Sequence, residues 1–145
     1  MANDPRPRSR VLVVDAHQDC REACATFLTL CGFAVEEAET GTDAFEAAVR
    51  TLPDVIVTDL VLRGMDGWEL TWRLRNTSVT STLPIIILTA VTLPWCRCRA
   101  EHAGCSAFLA KPCPPETLVA EIGRLLGAAT GGFGRPPRSA WSPYL

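Results

Sequence analysis

The sequence predicts one open α/β domain, a doubly wound parallel sheet with helices on both faces. Two observations carry that expectation. Five short apolar runs recur at 10–15, 33–39, 54–59, 84–89 and 106–111, and most of the intervals between them have the length and spacing of a helix. The runs at 10–15, 54–59 and 84–89 are continuously apolar and rich in β-branched residues, the pattern of strands buried on both faces of a parallel sheet. Right-handed crossovers then distribute the helices over the two faces.

The first strand, RVLVVD, closes on Asp15. In the first helix, QDCREACATFLTLCG, Ala23, Phe27, Leu30 and Cys31 are expected to face inward, with Asp19 capping its start and Gly32 past its end. FAVEEAE supplies the second strand, and TDAFEAAVRTLP a helix halted by Pro53. The third strand, DVIVTD, closes on Asp59, and DGWELTWRLRN gives a third helix with Trp68 and Trp72 one turn apart. PIIILT ends in Thr89. LPWCRCRAEHAG follows as a fourth helix, with Pro94 in its first turn and Gly104 after its end. The last strand, SAFLAK, reaches Lys111, with Cys105 expected at its start; PPETLVAEIGRLLG is a fifth helix striped by Leu118, Ile122 and Leu125. Residues 1–8 read as an N-terminal arm, 9–127 as the domain, and 128–145 as a Gly/Pro-rich tail expected to be disordered.

Composition excludes several functions. A net charge of -2 and a pI near 5.7 leave no electrostatic footprint for nucleic acid. VLVV is too short for a signal-peptide core, and LPIIILTAV is too short to span a membrane. A cytoplasmic protein is expected, in which the 7 cysteines stay reduced. Cys20 and Cys24 read as core or half-buried residues. Cys96, Cys98, His102 and Cys105 fit no zinc-knuckle spacing.

All strands of a parallel sheet point one way, so Asp15, Asp59, Thr89 and Lys111 arrive at one edge, where open sheets bind ligands. Lys111 is the single lysine among 14 Lys and Arg residues. A compact ammonium on a flexible stem suits a small anion, whereas the arginine fork suits a planar one. No glycine-rich turn follows the first strand, which removes a dinucleotide-binding reading. A phosphohydrolase with Asp15 as nucleophile wants a second Asp where His17 stands.

The pieces VLVVD, PDVIVTDLVLRGMDGWEL, IIILTA and AGCSAFLAKP, in this order and spacing, resemble the receiver domain of two-component response regulators over about residues 9–127. The resemblance implies a flavodoxin-like (CheY-like) sheet of strand order 2-1-3-4-5, with Asp59 as phosphoacceptor. It implies Mg²⁺ held by Asp15, Asp59 and the backbone carbonyl of Val61, and Lys111 and Thr89 against the phosphoryl group. Thr89 and Phe108 take the switch positions, Gly67 closes the loop after the third strand, and the bond before Pro112 is cis. The implied phosphodonor is a sensor histidine kinase or phosphotransfer protein. The implied target protein meets the fourth helix, fifth strand and fifth helix, near Trp95, Arg97 and Arg99; a homodimer is compatible with this.

Such a protein is a signalling phosphoacceptor and not an enzyme, and a stand-alone one, since residues 128–145 are too few for an output domain. Leu62 and Arg63 depart from the family's loop pattern without touching the chemistry. Ala16 stands where the family carries a second acid that binds the metal, so Mg²⁺ affinity is expected to be weakened. The alternative is a degenerate receiver that binds its partner without phosphorylation.

Overall fold

The structure, a computed structural model, describes residues 8–127. In chain order these form β1 (Arg10–Val14), α1 (Gln18–Leu30), β2 (Ala34–Ala38), α2 (Gly41–Thr51), β3 (Val55–Thr58) and α3 (Gly67–Arg75). A short 3₁₀ turn (Ser78–Thr80), β4 (Ile85–Thr89), α4 (Pro94–Ala103), β5 (Ala107–Ala110) and α5 (Pro115–Leu126) follow. The sheet runs β2-β1-β3-β4-β5, and all neighbouring pairs are parallel. This is the flavodoxin-like, doubly wound order that the resemblance implied. Residues 1–7 of the arm and the tail over 128–145 lie outside the described residues. Among the described residues, no helix is long and apolar enough to cross a membrane.

The three continuously apolar strands are central because only they meet helices on both sides. Val55–Thr58 and Ile85–Thr89 are buried throughout, as is β1 after Arg10. The period of two then splits their side chains between the faces. Val11, Val13, Val57 and Ile86 pack with Phe27 and Leu28 of α1 and Leu118 and Ile122 of α5. Leu12, Val14 and Ile56 meet Ala44 and Ala48 of α2 and Leu70 and Leu74 of α3. Ile87 and Leu60 meet Cys96 and Ala100 of α4. Full burial of one such Leu or Ile side chain stabilises the fold by roughly 2 kcal/mol.

Helix ends follow their local chemistry. Thr40 caps α2 by accepting from the Asp43 amide at 3.1 Å, and Asp66 caps α3 by accepting from Glu69 at 2.8 Å. Pro94 opens α4, and Gly104 closes it at φ 104.

Four local expectations are corrected. The buried face of α1 is Cys24, Phe27, Leu28 and Cys31, while Ala23 is exposed and Leu30 is 53% exposed. The i, i+3, i+4, i+7 stripe starts at Cys24, and Leu30 falls off it. Asp19 is no cap; it lies exposed in the first turn, after an N-cap at His17 that makes no side-chain bond. Cys20 is exposed, not half-buried. Cys105 precedes β5, because its amide is taken by the Ala100 carbonyl at 3.1 Å as α4 ends.

Arg75 makes a tie that local sequence patterns do not announce. Its guanidinium donates to the carbonyls of Gly104, Ser81 and Leu83 and to the Ser106 hydroxyl, joining the end of α3 to the segment before β4 and to the α4–β5 turn. Burial lowers its pKa from the ordinary arginine value.

Candidate functional site

Parallel strands deliver their last residues to one edge, and there three of the four predicted side chains meet. Asp15 follows β1, Asp59 follows β3 and Lys111 follows β5. Lys111 Nζ donates to Asp15 Oδ2 at 2.8 Å and to Asp59 Oδ2 at 3.1 Å. Both carboxylates are buried. Their second oxygens are held by the chain itself: the His17 amide donates to Asp15 Oδ1 at 2.8 Å and the Val61 amide to Asp59 Oδ1 at 3.3 Å. The bond between Lys111 and Pro112 is cis.

Two carboxylates share one ammonium, so the cluster keeps an excess negative charge. Burial pushes the Lys111 pKa down, but its bonds to Asp15 and Asp59 and their charges outweigh this, and the net shift is upward from the ordinary lysine value. A raised folded-state pKa stabilises the fold at pH below the ordinary lysine value. That contribution is lost as pH rises through the raised value.

The fourth predicted residue, Thr89, is buried at the end of β4 with its Oγ1 accepting from the Val91 amide at 3.2 Å; among the described residues no acceptor takes its own proton. Phe108 on β5 is half-buried against the cluster of Leu60, Ile87, Cys96 and Ala100. Val61 is exposed, and Ala16 brings only a methyl group to the loop after β1. The His17 imidazole is 75% exposed, with Nδ1 at 3.5 Å from Asp15. Beside this edge, the rings of Trp68 and Trp95 lie 5.8 Å apart at 39°, with the Arg99 guanidinium 4.3 Å over Trp68. The Trp68 Nε1 is buried, with no hydrogen-bond partner among the described residues.

Two supporting residues carried no sequence signal for their roles. Arg21 donates from Nη1 to the Asp15 carbonyl at 2.9 Å and from Nε to Glu37 at 3.3 Å, which fixes the backbone from which Asp15 reaches the site. Cys20 lines the cavity beside Asp15, Asp59 and Lys111. Gly67 has a sharper constraint than closing a loop. Its amide donates to the Leu60 carbonyl at 2.8 Å, and an added Cβ would lie 2.8 Å from Leu60 Cα and collide with the Asp59 carbonyl oxygen. Gly67→Ala is therefore expected to lower stability by about 1–3 kcal/mol, read from the midpoint of urea unfolding.

Asp15 and Asp59 are the carboxylate oxygen donors at this edge. Among the described residues no group of three or more His, Cys, Asp and Glu side chains converges, so a full protein cage is absent. The carboxylates of Asp15 and Asp59 suit Mg²⁺, which takes one or two carboxylates and retains several waters.

The chain matches the family model described as response regulator receiver domain over residues 11–123. It is 37% identical to the response regulator MprA of Mycobacterium leprae over 117 residues, covering 81% of this chain and 50% of that protein. It is 32% identical to the response regulator Rre1 of Synechocystis, covering 80% of this chain and 51% of that protein. The chain thus spans about half the length of these curated relatives. Among solved structures, the chemotaxis protein CheY4 of Vibrio cholerae superposes with a TM-score of 0.78 at 31% identity, covering 82% of this chain and 99% of that one.

Proposed function

Since the chain belongs to the response regulator receiver domain family, we propose that it is a signalling phosphoacceptor, with Asp59 taking a phosphoryl group from the phosphohistidine of a sensor kinase or phosphotransfer protein. The observation that carries this reading is the Lys111 ammonium bridging Asp15 and Asp59 across three strand ends. A carboxylate can displace a phosphoryl group only when the charge on its equatorial oxygens is neutralised and the groups lie in line. Asp59 forms the new P–O bond while the P–N bond breaks and its electron pair stays on the imidazole. Lys111, on a flexible stem, moves its ammonium from Asp59 to a phosphoryl oxygen.

Thr89 donates its unused hydroxyl proton to a second phosphoryl oxygen. Its shift toward the site opens space for Phe108 to turn inward. The altered face of α4, β5 and α5 then meets a protein target in the cytoplasm. Asp15, Asp59 and the Val61 carbonyl would hold Mg²⁺, which when bound supplies further positive charge beside the phosphoryl oxygens.

Labelling with an acyl phosphate in Mg²⁺, read by intact mass, tests the proposal: one added phosphoryl group is expected. The degenerate-receiver alternative is motivated by Ala16. It predicts no label at saturating Mg²⁺ while partner binding persists.

Ala16 also sets a metal expectation. Ala16→Asp adds a carboxylate to the donor set and should tighten Mg²⁺ binding on the order of tenfold, about 1.4 kcal/mol. His17→Ala should change little, because its imidazole is exposed. Calorimetric Mg²⁺ titration of the three proteins checks this; an unchanged affinity in Ala16→Asp would show that Ala16 is not the weak point, and a large loss in His17→Ala would identify an imidazole ligand.

A further inference from the structure

Asp15 reaches the site from the short loop between β1 and α1, and that loop is weakly anchored by its own residues. The N-cap of α1, His17, makes no side-chain capping bond. Ala16 adds no oxygen, so Asp15 is the one carboxylate this loop brings to the site. Both oxygens of that carboxylate are already engaged, Oδ1 by the His17 amide at 2.8 Å and Oδ2 by Lys111 at 2.8 Å. A cation that takes either oxygen competes with these bonds, so they do not fix the loop once the site is loaded.

Two ties avoid the carboxylate. The Asp15 amide donates to the Ala38 carbonyl of β2 at 3.2 Å, and Arg21 donates from Nη1 to the Asp15 carbonyl at 2.9 Å. Arg21 is in turn held through Nε by Glu37 of β2 at 3.3 Å. Its side chain is 14% exposed, against at least 49% in Arg50, Arg63, Arg73, Arg97 and Arg124, the other arginines in ion pairs among the described residues. Exposed pairs of that kind are loosely held. Arg21 is packed in place, and its planar fork spans a carbonyl and a carboxylate at a fixed angle.

We infer that Arg21 is a positioning residue for the phosphoacceptor site: it acts through the Asp15 backbone, clamping that peptide to β2 so that the carboxylate is already placed for Mg²⁺. This rests on the reading that Asp15 and Asp59 hold the ion. Groups that orient a metal ligand govern affinity nearly as much as the ligand does. Charge alone predicts the opposite effect. A cation near Asp15 repels Mg²⁺, so deleting Arg21 would tighten binding if its charge were what mattered, and loosen it if its grip on the loop is what matters.

The test is calorimetric Mg²⁺ titration of the wild-type, Arg21→Met, Arg21→Lys and Arg50→Met proteins, with urea unfolding to establish that each is folded. Arg50 pairs with Glu36 on the same edge strand without touching Asp15, and its replacement controls for loss of a positive charge there. Arg21→Met is expected to weaken Mg²⁺ binding by roughly tenfold. Arg21→Lys keeps the charge but has one donor group for two separated acceptors, so its affinity should fall between those of wild type and Arg21→Met. Arg50→Met should bind as wild type does. Acyl-phosphate labelling of Arg21→Met should be slow at low Mg²⁺ and recover as the ion is raised to saturation. Unchanged or tighter Mg²⁺ binding in Arg21→Met would overturn the inference, as would an equal loss in Arg50→Met. Should Arg21→Met fail to fold, Arg21→Lys decides: weaker binding supports the assignment and wild-type affinity overturns it. A wild-type protein that binds no Mg²⁺ would overturn the metal reading and the role of Arg21 with it, whereas failure in the variants alone falls on Arg21.

Discussion

Treated with an acyl phosphate in Mg²⁺, the wild-type protein is expected to gain one phosphoryl group and the Asp59→Asn protein none. Asp59 is the one carboxylate that both ends the central strand β3 and contacts the Lys111 ammonium. Asp15 shares that ammonium at 2.8 Å but follows β1. Asparagine keeps the size of the side chain and removes one of two buried like charges. The variant should therefore melt at or above the wild-type temperature, which separates loss of chemistry from loss of fold. Equal labelling of Asp59→Asn would move the phosphoacceptor elsewhere, with Asp15 the first position to examine by peptide mapping.

Replacing Lys111 should have the second large effect, and its two variants should fail differently. Lys111→Arg keeps the charge but presents a planar fork that grips carboxylates in pairs and does not pass readily to a single phosphoryl oxygen. Its labelling rate is expected to fall by roughly tenfold or more with stability nearly unchanged. Lys111→Met leaves Asp15 and Asp59, both buried, without their shared cation. Breaking a buried ion cluster from one side should cost about 3 kcal/mol, measured by urea unfolding. A Lys111→Arg protein that labelled as fast as wild type would remove the argument for a point charge.

The sheet was legible because its signal is simple. Runs such as VIVT and IIILT have no polar position until they end, so they belong between two layers of helices, and Asp59, Thr89 and Lys111 mark where they stop. The strand order came from the resemblance, since apolar runs alone do not rank neighbours. The inward face of α1 was harder. Cys24 and Ala25 are weakly apolar, and Leu30 sits in the last turn, so hydrophobicity pointed away from the observed stripe. Asp19 looked like a cap by residue type, yet Asp15 two residues before His17 accepts the loop amide instead. Arg21 and Arg75 act on backbone carbonyls brought close only by the fold; the Gly104 carbonyl lies 29 residues from Arg75.

The two indoles between α3 and α4 have an optical consequence. Transition dipoles of Trp68 and Trp95, with centroids 5.8 Å apart and rings inclined at 39°, are close enough to couple as an exciton pair. Such a pair gives a two-lobed circular dichroism signal whose size follows spacing and angle steeply. The Arg99 cation over one ring, and a buried indole Nε1 with no hydrogen-bond partner among the described residues, set the emission of Trp68 apart from that of exposed Trp72. The helix that packs beside Phe108 thus carries its own chromophore, and its displacement relative to α3 is readable by light without any attached label.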